Sequence, residues 1–548
     1  MNKLLAPRQR VAVDPITVEV IGSALSSIVE EMGEALVRAS YSTNIKERRD
    51  CSTALFTING ETLCQAEHIP MHLGSFLAMI PLITKRFPVA EMQPGDVFIG
   101  NDAYEGGGTH LPDIVLAEPI FFEREIVAWA INTAHHSDFA DRGHAHIYQE
   151  GIRIPPIRLY SAGTLQKDVQ DLILLNCQVP RERLSDLRAQ MAANRLGVQR
   201  MQVLCEKYGR DIVLSAGGAL MDYAERKMRA GIATIPDGTY TFADVYDNPE
   251  FDGEVPLSIA ITVEGDAMRL HFDAPPQMRA GFNMTYTALL STVYYAVKTV
   301  VDPTILPNAG LSRALTVTAP VGTVVNAKAP AAVFNRIGPS QRVVDLVHGA
   351  LAKAVPERVT AACCGTVMMA CFSGVHPTNG DPWIYIETIG GGFGARPHKD
   401  GLDGVHVHMT NTSNLPVEAL EVEYPLTVLR YELAEGSGGA GRHRGGLGLR
   451  RVYRAEADCR IEFDTSRIRS QPWGLFGGAK ASGSHLDLGE GAKPLLFGQG
   501  ELDRGQIVTI QTPGGGGYGP AAERSREAIA RDVADGTITA EAAEAIYG

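Results

Sequence analysis

Between Asp14 and Ala39 apolar residues recur every three or four positions, at Val18, Ile21, Leu25, Ile28, Met32, Leu36 and Val37. That spacing predicts an amphipathic helix, with Asp14 as its N-cap and Pro15 in its first turn. CSTALFTINGETLCQA (51–66) reads as a hairpin turned at Asn59–Gly60. GDVFIGNDAY (95–104) and DIVLAEPIFFEREIVAWAINTAH (113–135) alternate or run apolar as strands do. Over 168–231 the pattern turns helical: RERLSDLRAQMAANRLGVQRMQVLCEKYG makes one long helix and ALMDYAERKMRAGI a second. From about 236 the chain becomes turn-rich and strand-like, and between 380 and 520 glycine is frequent and apparent strands are short. The tail reads as two short helices joined at Asp535–Gly536.

These elements predict an α+β protein of several subdomains packed as one body, since no internal repeat or low-complexity linker interrupts them. Residues 1–235 form an N-terminal α/β part, 236–520 a mixed, β-rich part, and 521–548 a short helical tail.

A length of 548 residues suggests about three folding units, and 45% apolar with 21% charged residues allows a large core. No run of 18 apolar residues occurs, so no membrane span is expected. MNKLLAPRQRVAVDP is too briefly apolar to read as a secretory signal. The net charge of −13, without a basic block, argues against nucleic acid as a partner. Eight cysteines contain no CxxC pair, and Cys363 and Cys364 lie in the apolar run VTAACCGTVMMACF. Buried, reduced thiols in a cytoplasmic protein are the simplest reading.

Candidate chemistry concentrates in NDAYEGGGTHLPDIVL (101–116) and INTAHHSDFADRGHAH (131–146). One reading is polar turns at strand ends; the other is a divalent-metal site. His110 and Asp113, three apart in a turn, can converge on one ion, and Gly106, Gly107 and Gly108 permit a tight backbone approach. His135 at a strand end offers a second imidazole, and Asp50, just before a strand, another carboxylate. Two His and two Asp suit zinc, manganese or iron(II), and are too nitrogen-rich for a dedicated calcium site. His136, Asp138, Asp141, His144 and His146 are alternative ligands or their supports, with His144 and His146 better read as surface polar residues. His68 and His72 either line the pocket or serve structure.

The remaining motifs exclude more than they assign. ETIGGGFGARPHKDG (387–401) and TPGGGGYGP match neither a P-loop nor a well-placed GxGxxG, so their glycines read as sites of close backbone packing. NRIGPSQRVVDLVHGALAKAVP places Asn335, Ser340, Gln341 and Arg342 at a loop-to-helix junction, either an anion site or a helix capped by Ser340. No GxSxG elbow or cysteine–histidine pair stands out, which disfavours serine or thiol nucleophiles.

Taken in order, DPITVEVI, NIKERRDCSTALF, GDVFIGNDAYEGGGTHLPDIVL, AHHSDFADRG, EGIRIPPIRLY, NRIGPSQRVVDLV, GGGFGARPHKDG, NTSNLPVEALEVEYPL, EGSGGAGRHRGGLGLRR and TPGGGGYG resemble the B subunit of the hydantoinase/oxoprolinase family. Subunits of acetone-type and acetophenone-type carboxylases belong to the same family. The resemblance implies a divalent metal, zinc or manganese and otherwise iron, on Asp50, His110, Asp113 and His135. It departs after the histidine pair, where many relatives continue Asp-Ile-Gly-Gly and this chain has Asp138-Phe139-Ala140-Asp141.

The resemblance also implies an actin-like ATPase A subunit as partner, carrying the ATP and magnesium, in a heterotetramer or larger assembly. That partner phosphorylates the substrate's oxygen, and the B subunit completes hydrolysis of a cyclic amide: a hydantoin, 5-oxoproline or another lactam. His136 and Asp138 are candidate general bases by proximity in sequence. The alternatives are a subunit of an ATP-dependent ketone carboxylase, a structural partner with a vestigial site, and a self-contained metallohydrolase.

Overall fold

A computed structural model of the chain describes residues 10–66, 68–105, 107–137, 142–489, 495–496 and 498–548. Its N-terminal half is built on seven strands: β1 (Cys51–Thr57), β2 (Thr62–Gln65), β3 (Val97–Gly100), β4 (Asp113–Phe122), β5 (Glu125–His135), β6 (Ile157–Ser161) and β7 (Thr164–Leu165). They pair in the order β2-β1-β5-β4-β3-β6-β7. The opening helix Pro15–Ala39 starts as expected, with Asp14 accepting the backbone N–H groups of Ile16 and Thr17.

Both faces of this sheet are covered, which is why β4 and β5 read as near-continuous apolar runs. One face sets Leu55, Ala128 and Ala130 against Ile21, Leu25, Met32, Met201 and Leu204 of the helices Pro15–Ala39 and Pro180–Tyr208. The other sets Phe56, Phe98, Trp129 and Ile131 against Phe76, Met79 and Ile83. Side chains alternate across a strand, so neighbouring residues such as Ala128 and Trp129 serve different cores.

Among the described residues, the second half holds three four-stranded sheets. The strands Gly238–Asn248, Phe251–Glu264, Ala267–Asp273 and Leu315–Thr318 pack against the helices Tyr286–Val301 and Ile337–Leu351. Ile337–Leu351 is buried on every side from Gly338 onward, although it carries Arg342, Asp345 and His348. Ser340 does not cap it: its hydroxyl donates to the Arg336 carbonyl at 2.7 Å. The sheets containing Met368–Val375 and Leu449–Ala455 share a further core around Phe372, Tyr385 and Tyr453.

The glycine-rich runs pack main chain on main chain. A Cβ on Gly392 would lie 2.0 Å from the Gly446 carbonyl oxygen, one on Gly394 1.9 Å from that of Ala361, and one on Gly515 2.1 Å from that of Phe393. The tail helices Arg526–Ala534 and Ala540–Tyr547 are tied to this body by Arg524, which bridges Asp400 and Asp532. All eight cysteines are free, and Cys363 and Cys364 are buried. Among the described residues no helix is long and apolar enough to cross a membrane.

Candidate metal centre

Strand register assembles the site. In the β1–β5 ladder Cys51 faces Ala134, and in the β4–β5 ladder Asp113 faces His135. Asp50, one residue before β1, therefore stands beside His135, whose N–H donates to the Asp50 carbonyl at 3.0 Å. Asp50, His135 and Asp113 form a row across one end of three adjacent strands. His110 joins them from the turn before β4. That turn is tight: Gly107 has φ +87°, and a Cβ on Gly108 would meet the Asn101 carbonyl oxygen at 2.1 Å. Arg49, at φ 56°, holds a left-handed conformation just ahead of Asp50, a cost that recurs at functional sites.

The ligand atoms of His110, Asp113 and His135 lie within 4.8 Å of one another. Each is oriented by a buried neighbour. His110 Nδ1 lies 3.0 Å from the Phe334 carbonyl, to which it donates, leaving Nε2 as a lone pair. Asn44 Nδ2 reaches both the ring Nδ1 (3.1 Å) and the carbonyl (2.7 Å) of His135, and Arg48 fixes that amide by donating to its oxygen at 2.7 Å. Asp113 Oδ2 is occupied by Arg336 Nη2 at 2.8 Å and by the hydroxyls of Ser75 and Thr109. Asp113 Oδ1 is left facing His110 Nε2 at 3.0 Å.

The electrostatics match a cation site. Burial, with Arg336 adding to it, lowers the His110 imidazole to about 4, and burial with His110 beside it holds His135 well below its ordinary range. Burial would raise Asp113, but His110, Arg336 and His72 hold its carboxyl well below the usual range. Neutral imidazoles and an ionised carboxylate are the forms that bind metals. His110 Nε2 and Asp113 Oδ1 are both buried without a properly formed hydrogen bond. A cation between two lone pairs that face each other at this distance satisfies both, so the donor set fits a divalent ion.

The sequence-predicted residues divide clearly. His110, Asp113 and His135 come together, and Asp50 lines the same small pocket as His110 and His135. His136 is buried with Nε2 3.2 Å from Gln190 Oε1 and is not among the residues lining that pocket. Asp138 lies, with Phe139, Ala140, Asp141 and Gly106, outside the described residues. His144 is a buried partner of Glu462, at 2.9 Å, rather than a surface residue.

His72 is a stronger participant than its sequence context suggests. Its Nδ1 meets Ser52 Oγ at 2.9 Å while Nε2 aims between Asp50 (3.7 Å) and Asp113 (3.5 Å). Asn44, Arg48 and Arg336 are not singled out by their residue types in the sequence, although they sit inside segments that carry the family resemblance.

A larger cavity of about 810 Å³ adjoins the metal pocket, sharing Ile69 and Thr410 as wall residues. Its lining combines Leu73, Tyr294, Tyr295 and Phe393 with His406 and His408.

Comparison with known proteins places the chain. The family model described as Hydantoinase B/oxoprolinase matches residues 14–521. An uncharacterized protein of Methanocaldococcus jannaschii is 40% identical over 97% of this chain and 96% of its own length. The caprolactamase subunit beta of Pseudomonas jessenii is 31% identical over 98% of this chain and 96% of its own. The crystal structure of the ATP-dependent caprolactamase from the same organism superimposes with a TM-score of 0.90 at 29% identity, covering 98% of this chain and 96% of that one.

Proposed function

The chain belongs to the hydantoinase B/oxoprolinase family, and from that premise we propose that it is the B subunit of an ATP-dependent cyclic amide hydrolase. Its substrate is a hydantoin, 5-oxoproline or another lactam whose oxygen has been phosphorylated by a partner subunit of the actin-like ATPase type. In this reading Asp50, His110, Asp113 and His135 hold a divalent ion, zinc or manganese and otherwise iron(II). One observation carries it: the facing lone pairs of His110 Nε2 and Asp113 Oδ1, in a chain similar to a caprolactamase over 98% of its length.

An amide is a poor electrophile, and phosphorylation of its oxygen removes much of the resonance that protects it. When bound, the ion supplies Lewis acidity that polarises the activated group and acidifies water. The chain's residues do the positioning. Phe334 holds the His110 imidazole, Asn44 anchors the His135 carbonyl, and Arg336 keeps Asp113 ionised and turned so that one oxygen faces the site. The adjoining cavity gives the substrate's ring and substituents an apolar, aromatic wall.

The test is to purify the chain with its ATPase partner and supply ATP with caprolactam, hydantoin or 5-oxoproline, and separately with a ketone and bicarbonate. ATP-dependent ring opening supports the reading, whereas a carboxylated product without ring opening overturns it in favour of the ketone carboxylase. Turnover by the chain alone without ATP would make it a self-contained hydrolase. Elemental analysis tests the metal: far less than one ion per chain, with full activity of His110→Ala, removes it from the chemistry.

A further inference from the structure

Besides Asp50, which belongs to the donor set, Asp464 is the only carboxyl among the described residues lining the metal pocket. It ends the strand Cys459–Asp464, paired with Met369, another wall residue. Its Oδ1 accepts a hydrogen bond from Asn248 Nδ2 at 2.5 Å, and no arginine or lysine reaches it among the described residues. Two further carboxyls stand close: Glu462, bonded to His144, and Glu250, which accepts from Gly281 N–H and Asn335 Nδ2. Burial, and the Glu250 and Glu462 carboxylates beside it, push Asp464 well above the usual carboxylate range. The other ionisable side chains lining the pocket have other engagements: Arg48 and Arg336 carry guanidinium groups, which are poor proton donors, His110 and His135 are turned to the donor set, and His72 Nε2 aims between Asp50 and Asp113.

We propose that Asp464 is the general acid of ring opening, donating the proton that lets the ring nitrogen leave. The inference rests on the lactam-hydrolase reading above and follows from how the tetrahedral carbon can collapse. Water adds to the phosphorylated imidate carbon, leaving one carbon bonded to a hydroxyl, the phosphate ester oxygen and the ring nitrogen, which has taken up one proton. Breaking the carbon–phosphate-oxygen bond regenerates the lactam and consumes the phosphate without result. Breaking the carbon–nitrogen bond opens the ring, but the nitrogen leaves as a neutral amine only if it gains a second proton. Asp464 supplies that proton, and its carboxylate takes up the proton that the hydroxyl gives up as the carbonyl forms. The products are an amine and an acyl phosphate, which a second water hydrolyses to carboxylate and phosphate. Asp464 thus decides whether phosphate transfer is coupled to ring opening.

In the purified complex, ring-opened product per ATP consumed should fall at least tenfold in Asp464→Asn, while ATP turnover continues, and Asp464→Glu should recover part of the coupling. Unchanged coupling in Asp464→Asn overturns the proposal. On the chain alone at neutral pH, the infrared carbonyl band of a protonated carboxyl should weaken in Asp464→Asn; an unchanged band overturns it independently. If neither variant folds, lactams of graded nitrogen basicity decide with the wild-type complex. Coupling that stays constant across the series supports an enzyme-supplied proton, and a steep fall with basicity overturns it. A wild-type complex that opens no lactam refutes the functional reading, and the infrared comparison still decides whether Asp464 carries a proton.

Discussion

Replacing Arg336 with methionine removes one charge from the centre while keeping most of the volume. Arg336 Nη2 lies 2.8 Å from Asp113 Oδ2, and its Nε lies 3.0 Å from Thr109 Oγ1. Both charged side chains are buried, at 6% and 0% exposure. Breaking such a pair leaves a buried carboxylate uncompensated, which costs about 3–5 kcal/mol. The Ser75 and Thr109 hydroxyls still reach Oδ2, so the lower end, about 3 kcal/mol, is expected. Asp113→Asn alone strands the guanidinium in the same way. The double variant should therefore be more stable than the sum of the singles by about 1–3 kcal/mol.

Urea denaturation of the four chelator-treated proteins measures this cycle. The pH dependence supplies a second readout. Against the burial that would raise it, His110 and Arg336 hold Asp113 below its unfolded value. Its contribution is thus present above the ordinary carboxylate range and lost as pH falls through the folded value. Without Arg336 that folded value rises, so acid destabilisation should begin at higher pH. Additivity within about 0.5 kcal/mol, with an unmoved acid limb, would refute the argument that Arg336 holds Asp113 in its ionised form.

Three further outcomes are expected. Burial pushes Glu118 up to about 7, with Arg195 only partly opposing, so folding loses stability as pH rises from the unfolded carboxylate range through neutrality. Glu118→Gln should be more stable than the wild type by up to about 3 kcal/mol at pH 8, with the gap closing near pH 4; a pH-independent gap in urea midpoints contradicts this. Glu150 Oε1 accepts from the N–H groups of Val333 and Phe334, both at 2.7 Å, and so fixes the carbonyl that orients His110. Calorimetric titration with zinc should show Glu150→Ala weakening binding by about 10–100-fold and Glu150→Gln, which keeps an acceptor oxygen, weakening it far less. Gly394→Ala forces a methyl to 1.9 Å from the Ala361 carbonyl oxygen and should cost about 3 kcal/mol in chemical denaturation; a silent substitution would show that the glycine-rich layers are not close-packed.

Local patterns made much of the fold readable. Asp14, Pro15 and a 3.6-residue apolar period define the opening helix because capping and amphipathicity are short-range properties. Asn59–Gly60 marks the β1–β2 turn for the same reason, Gly60 having φ +84°. The candidate donors at 50, 110, 113 and 135 were also legible as residue types, since their chemistry and the surrounding motifs are written locally. Ser340 was misleading, because an N-cap residue and a hydroxyl bonding back to the fourth preceding carbonyl have the same local sequence.

What only tertiary structure decided is convergence. The sequence by itself determined most of the elements, the family and the residue types of the candidate metal site. It could not tell that pairing of β1, β5 and β4 would bring Asp50, His135 and Asp113 into one row, or that Arg336 would arrive from 223 residues beyond Asp113 to occupy one of its oxygens. Nor could it separate His135, turned into the pocket, from His136, which bonds Gln190 across the sheet. Consecutive residues of a strand point to opposite faces, so one step in register decides which histidine meets the donor set, and register is settled by long-range packing.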